Sequence, residues 1–185
     1  MLGYQQADAV ATAVLIGRVS PMLLRFFKSQ SGSRAEAEDL LQDTWLQIHK
    51  VRHTYRSGEP LLPWIYAIAR HVKIDSYRRR QRIRAREQSM APLPEFAARV
   101  NMSPRELPDF DTLIAVLPPS QREVVSMLKV SDMSLAEVAR ATSSSIGSVK
   151  LKAHRAYEKL RAVLQNSAPK PESLKARQEG SCDAV

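Results

Sequence analysis

Apolar residues recur at intervals of three and four along nearly the whole chain, while strand-like alternation bounded by turn residues is hard to find. Only 6 of the 185 residues are glycine. Together these features dictate an all-α fold, and breaks in the periodicity divide it. A first helical block is expected over residues 7–86, interrupted near Ser31-Gly32-Ser33 and at Ser57-Gly58-Glu59-Pro60, which leaves three helical stretches. Pro21 after Ser20 is the pattern of a restarting helix, so the first stretch is expected to kink or split there. Residues 87–109 gather Pro92, Pro94, Pro104 and Pro108 among small and polar neighbours, which reads as a flexible interdomain linker. The second block covers residues 110–166, punctuated by Leu117-Pro118-Pro119, and the polar remainder, 167–185, reads as a disordered tail. Two small helical domains joined by a linker result.

Charge narrows the partners. Lys and Arg number 28 against 19 Asp and Glu, a formal net charge of +9 with a pI near 10.0. Cations gain free energy by displacing counterions condensed on phosphates, so a polyanion is the expected partner; charge alone also admits an anionic membrane surface. Cys182 is the single cysteine, which rules out an intrachain disulfide and any zinc site needing two thiolates, and suits a reducing compartment. The apolar stretch from Ala9 to Gly17 has Asp8 in front and no basic leader. It reads as a helix buried in a soluble core rather than a signal peptide, and no run approaches transmembrane length, so a cytoplasmic location is expected.

The second block carries a helix-turn-helix pattern. Ser134-Leu135-Ala136-Glu137 fits a capping box, in which serine and glutamate satisfy each other's exposed backbone donors, so a helix starts at Leu135. It ends near Ala141-Thr142, and Ser143, Ser144 or Ser145 can cap a second helix running to about Leu164. Ile146, Val149, Ala153, Ala156 and Leu160 form one stripe of that helix. Lys150, Leu151, His154, Arg155 and Glu158 face the other way. A narrow helix with long donors opposite its packing stripe suits the DNA major groove; an ordinary solvated helix has the same periodicity.

Two features of the first block have opposite charge. From Pro63, the segment PWIYAIARHVKIDSYRRRQRIRAR sets eight cations against the single acid Asp75, with Trp64, Tyr66, His71 and Tyr77 interleaved. Cationic track plus flat rings is what unstacked single-stranded bases require; for Trp64 and Ile68 plain core packing is the stronger expectation. The preceding helix, near Arg34 to Arg52, puts Leu41, Thr44, Trp45, Ile48 and Val51 on one face. Asp39, Gln42, Asp43 and Leu46 lie together on the other. Spacing leaves that second face two readings, a solvated surface or a protein dock with a leucine at its centre.

Taken in order, EAEDLLQDTWLQIHK, PWIYAIARHVKIDSYRRR and LPPSQREVVSMLKVSDMSLAEVARATSSSIGSVKLKAHRAYEKLRAVL resemble the extracytoplasmic-function (ECF) sigma factors of the sigma-70 family, over about residues 10–165. The resemblance implies a stress-responsive alternative sigma factor that binds core RNA polymerase and directs promoter-specific initiation. Asp39, Gln42, Asp43 and Leu46 would then dock on the clamp coiled coil of the beta-prime subunit, and the beta flap is a further implied contact. Promoter minus-ten capture and melting would fall to Arg56, Ser57, Gly58 and Glu59 of the loop that runs to about Leu62, with His71, Lys73, Arg78, Arg79 and Arg80 of the basic helix. Minus-thirty-five recognition would fall to Gly147, Ser148, Lys150, Leu151, Lys152, His154 and Arg155. An anti-sigma protein, in many members membrane-bound, is the implied inhibitor; the chain itself is not expected to be an integral membrane protein. One departure from the pattern is Ser143, where the turn commonly has glycine, so strain in the turn or a different φ at a neighbour is expected.

Two other readings compete. A helix-turn-helix regulator working without polymerase would use the second block and leave the acidic face and aromatic-basic helix idle. An enzyme would have to start from His49 and His53, one turn apart and able in principle to share a metal, but neither a further ligand nearby nor a phosphate-binding glycine loop accompanies them. Neither catalysis, metal nor cofactor is therefore expected.

Overall fold

The computed structural model describes residues 1–31, 33–87 and 110–167. The expected linker, apart from Glu87, and the expected tail, apart from Ser167, lie outside the described residues. Every regular element among the described residues is helical. The first block consists of α1 (Leu2–Gln5), α2 (Ala9–Gln30), α3 (Arg34–Val51), a 3-10 turn (Arg52–Thr54) and α4 (Leu61–Glu87). The second consists of α5 (Phe110–Ala115), α6 (Pro119–Val130), α7 (Leu135–Ala141) and α8 (Ile146–Ser167).

Local chemistry sets most of these boundaries. Asp8 caps α2, its carboxylate accepting from the Val10 and Ala11 amides at 2.8 and 3.1 Å. Ser33 does the same for α3 through the Glu36 amide at 3.2 Å. Pro119 opens α6 at a position where its missing N–H costs nothing. The α5–α6 corner is held by Arg122, whose guanidinium donates to the carbonyls of Ile114, Ala115 and Leu117. Nothing in the periodicity pointed to that clasp.

Helix α2 departs from expectation in three ways. It runs unbroken through Pro21 rather than splitting. Pro21 and Gly17, whose carbonyl loses its donor, are both exposed, so solvent can serve the orphaned oxygen. The continuous helix Ala9–Gln30 is long and apolar enough, by length and composition, to cross a membrane, contrary to the expectation that no run approaches that length. Nor is Ala9 to Gly17 a buried segment: Val10, Val14 and Ile16 are exposed and Leu15 alone is buried there. The core lies under the second half, where Leu23, Phe26 and Phe27 are fully enclosed.

Helix α1 extends the first block upstream of residue 7. Tyr4 is buried, its hydroxyl hydrogen-bonded with His49 Nδ1 at 3.2 Å, and Gln5 Nε2 donates to the Arg52 and Tyr55 carbonyls at 2.7 and 3.0 Å.

The two blocks share one core. Phe26, Phe27, Ile65 and Tyr66 from the first and Val124, Met127, Met133 and Val138 from the second belong to a single buried cluster. Each such side chain contributes about 1.5–3 kcal/mol through apolar burial. A smaller cluster, Ile114, Leu117, Val125 and Ala156, lies wholly within the second block.

Candidate nucleic-acid interface

Helix α3 buries Ala37, Leu40, Thr44 and Ile48, with Leu41, Trp45 and Val51 half-buried beside them. Periodicity then drives Asp39, Gln42, Asp43 and Leu46 outward, and all four are exposed; Leu46 keeps 61% of its surface in solvent. An isolated exposed leucine is ordinary, but this one stands in a polar rim. Next to it opens a cleft of about 700 Å³ between α3 and α4, lined by Asp43, Leu46, His71, Asp75, Arg79 and Arg82 among others. Residues of the expected polymerase dock and of the expected promoter track thus line one groove.

The loop before α4 carries Arg56, Ser57, Gly58 and Glu59, all exposed. Gly58 sits at φ +90°, and the Tyr55 hydroxyl donates to the Glu59 carbonyl at 2.6 Å, closing the turn. Tyr55 in turn packs edge-on against Trp64, ring centroids 5.5 Å apart. Along α4 itself His71, Arg78 and Arg79 are exposed. Lys73 and Arg80 are half-buried and already paired: Lys73 Nζ lies 2.9 Å from Glu123 of α6, and Arg80 pairs with Glu36 of α3.

Among the rings, His71 and Tyr77 are exposed and Trp64 is half-buried. Tyr66 is not available to stack on a base. It is fully buried, meets Phe26 edge-on at 5.1 Å, and its hydroxyl shares a hydrogen bond with Ser131. Burial pushes its phenol up to about 12, with the Ser131 bond pulling weakly the other way. The signal that could have warned of this is the neighbouring Ile65 and Ala69, also fully buried, which make the start of α4 apolar on more than one side.

In the second block the capping box forms as expected. The Ser134 hydroxyl accepts from the Glu137 amide at 3.2 Å. The Glu137 carboxylate in turn accepts from the Ser134 amide at 2.8 Å and from the Ser134 hydroxyl at 2.7 Å, and these two bonds hold the carboxyl below its ordinary range. The turn that follows passes through Ser143, whose own φ is +50°: the left-handed residue is the serine itself, not a neighbour. Ser145 then caps α8, its Oγ accepting from the Ser148 amide at 3.2 Å.

Helix α8 buries Val149, Ala153 and Ala156 and half-buries Leu160. Ile146, expected in that stripe, is 46% exposed at the first turn of the helix. On the outward side Gly147, Lys150, Leu151, His154 and Arg155 are exposed, with Ser148 and Lys152 half-buried. A Cβ on Gly147 would meet nothing nearer than Ser145 Oγ at 4.0 Å, so the helix start is open to an approaching phosphate. His154 Nε2 lies 3.4 Å from Glu158. Among the described residues no group of three His, Cys, Asp or Glu side chains could hold a metal, and His49 is engaged with Tyr4.

Comparison with known proteins separates the same two blocks. The family described as Sigma-70 region 2 matches residues 15–83, and that described as Sigma-70, region 4 matches residues 108–160. Two such regions in this order define a transcription-initiation factor of the sigma-70 class. The ECF RNA polymerase sigma factor SigF of Caulobacter vibrioides (strain NA1000 / CB15N) is 36% identical over 138 residues, covering 73% of this chain and 74% of the relative. The RNA polymerase sigma factor CarQ of Myxococcus xanthus is 33% identical over 153 residues, covering 81% and 87%. The chain belongs to the ECF RNA polymerase sigma factors. Solved structures agree in fold. The sigma factor RpoE from Bartonella quintana, in complex with the anti-sigma factor NepR, superposes with a TM-score of 0.68 at 23% identity, covering 84% of this chain and 97% of that one. CnrH, in complex with the cytosolic domain of CnrY, gives 0.64 at 21%, covering 90% and 97%.

Proposed function

We propose that three surfaces of this sigma factor act in one initiation event. Asp39, Gln42, Asp43 and Leu46 dock on the beta-prime clamp of core polymerase. The Arg56–Glu59 loop with His71, Lys73 and Arg78 to Arg80 captures the melted minus-ten strand, and Gly147, Ser148, Lys150, Leu151, Lys152, His154 and Arg155 read the minus-thirty-five duplex. The observation that carries this reading is the groove in which Asp43 and Leu46 stand opposite His71 and Arg79. Carboxylates beside the groove repel DNA and favour a protein, while the cations across it favour phosphate, so polymerase and promoter can be held side by side. The protein works in the cytoplasm as a binding factor without catalysis of its own. Its relatives RpoE and CnrH are described in complex with NepR and CnrY, which supports an anti-sigma partner for this chain as well.

Charge reversal tests the division of labour. Asp39→Lys with Asp43→Lys weakens holoenzyme assembly on core polymerase while far-UV circular dichroism stays unchanged; full assembly by the folded variant rejects the docking assignment. Lys150→Ala and Arg155→Ala each cost about 1–3 kcal/mol of minus-thirty-five discrimination for every hydrogen bond to a base edge that the truncation removes, with transcription from a premelted template largely kept.

A further inference from the structure

The Arg56–Glu59 loop hangs from Tyr55. The Tyr55 hydroxyl donates to the Glu59 carbonyl at 2.6 Å and its ring stands edge-on against Trp64, while inside the loop the Glu59 amide reaches the Arg56 carbonyl only at 3.3 Å. Behind Tyr55, the 3-10 turn is closed by its amide on the Arg52 carbonyl, again at 3.3 Å. Such long local bonds hold a turn weakly. Shorter ones come from far away in sequence. Gln5 Nε2 donates to the Arg52 carbonyl at 2.7 Å and to the Tyr55 carbonyl at 3.0 Å, 47 and 50 positions on, and so ties both ends of the turn that leads into the loop.

Gln5 can act at that distance because α1 is itself fixed. Tyr4 is buried, shares its hydroxyl hydrogen with His49 Nδ1 at 3.2 Å and meets the imidazole edge-on, ring centroids 6.0 Å apart. The His49 carbonyl accepts from the Arg52 guanidinium at 2.7 Å, so one residue of α3 anchors both α1 and the turn. Gly3 lies so near α2 that a Cβ there would come within 2.5 Å of Ala11 Cβ. The chain then reverses at Ala7, φ +60°, with the Asp8 amide donating to the Gly3 carbonyl at 2.9 Å. The chemistry at the tip is specific to an amide. One carboxamide nitrogen carries two hydrogens and serves two carbonyls; a carboxylate of the same size would set oxygen against oxygen.

We propose that Gln5 is a positioning residue for promoter melting: by tying the Arg52 and Tyr55 carbonyls it holds the Arg56–Glu59 loop in the conformation that receives the melted minus-ten strand, without itself touching DNA. This rests on the minus-ten assignment of that loop. A loop ordered beforehand spares the strand the cost of ordering it on binding, so α1 contributes to capture through preorganisation.

The test uses the full chain assembled with core polymerase. The probe is a pool of single-stranded DNA with a short randomised stretch; strands retained by the holoenzyme are sequenced and the enrichment of the preferred motif is measured. Gln5→Glu and Gln5→Met should each lower that enrichment roughly tenfold, the scale of losing about one net hydrogen bond of preorganisation. Affinity for core polymerase and for a minus-thirty-five duplex should stay at the wild-type level. Equal losses in all three, with a collapsed thermal midpoint, would reduce Gln5 to a general fold contact and overturn the proposal. Arg56→Ala with Ser57→Ala is the control. If it blunts enrichment while both Gln5 variants select as wild type does, the positioning role is overturned and the loop assignment stands. If the control variant also selects as wild type does, the loop assignment falls and the role of Gln5 falls with it.

Discussion

Helices α4 and α8 are both long, basic and assigned to nucleic acid, yet their cations live in different surroundings. On α4, Arg70 and Lys73 are met by Glu123 and Arg80 by Glu36, carboxylates supplied by other elements. On α8, Lys150, Arg155, Lys159 and Arg161 point to solvent, and its ion pair, His154 with Glu158, joins two largely exposed groups of the same helix. The packing differs in the same sense. Helix α8 rests on α6 and α7 of its own block, whereas α4 lies against α3 on one side and α7 of the second block on another. A duplex reader can therefore be preformed within one domain. A single-strand track built on α4 depends on where the other domain stands.

The largest effect should come from removing the ring on which both blocks lean. Phe26 is fully buried, touches Tyr66 edge-on, and has Lys73 Nζ 5.5 Å from its centroid. Phe26→Ala should cost about 3–5 kcal/mol. The chain's two tryptophans, Trp45 and Trp64, both lie in the first block, so tryptophan fluorescence follows that block alone while circular dichroism follows all the helices. Coincident urea transitions by the two probes are expected for wild type. Transitions that separate in wild type would show two independent cores and break the contrast between α4 and α8.

Alkaline titration gives a smaller and more local reading. The Tyr66 phenol ionises near 10 in unfolded chain and at about 12 in the fold, because burial disfavours the phenolate. Its neutral form is thus favoured by folding: the contribution is complete below pH 10 and is lost as pH climbs toward 12. The difference corresponds to roughly 2–3 kcal/mol of stability across that window. Tyr66→Phe should flatten this loss in urea unfolding measured between pH 9 and 12, at the cost of the Ser131 bond. Because Ser131 belongs to the second block, the same measurement reports on domain contact. An unaltered pH profile in the variant would mean that the phenol is solvated and the blocks stand apart in solution.

What could be read from the sequence follows the range of the interactions involved. The Ser134–Glu137 capping box, the Pro119 helix start and the outward set Asp39, Gln42, Asp43 and Leu46 each depend on residues within a turn or two, and periodicity suffices for them. The burial of Tyr66 and the capture of Lys73 depend on α6 and α7, about fifty positions or more further on, which no window along α4 reports. Pro21 misleads in the other direction, since its penalty falls on the solvent side of α2 and the helix continues. Extending the α8 stripe back to the first turn misplaces Ile146, which is exposed at the helix start.

Ser143 tests whether the α7–α8 turn is a property of the second block alone. Its φ of +50° costs an L-residue about 1–2 kcal/mol, which glycine would avoid. Glycine loses about 0.5–1 kcal/mol more backbone entropy on ordering, so Ser143→Gly should stabilise the fold by a net amount of about 0.5–1 kcal/mol. The size of the thermal shift carries further information. If the whole chain melts as one unit, the midpoint should rise by about 1–4 °C; if the second block melts alone, its smaller unfolding entropy makes the shift about twice as large. Calorimetry distinguishes the two, and the smaller rise is expected from the shared core. Binding of a minus-thirty-five duplex should be unchanged, because the serine side chain is exposed and α8 keeps its cap at Ser145. A fall in midpoint would mean that the turn does not use the left-handed conformation at this position, and the recognition helix would then leave α7 at a different angle.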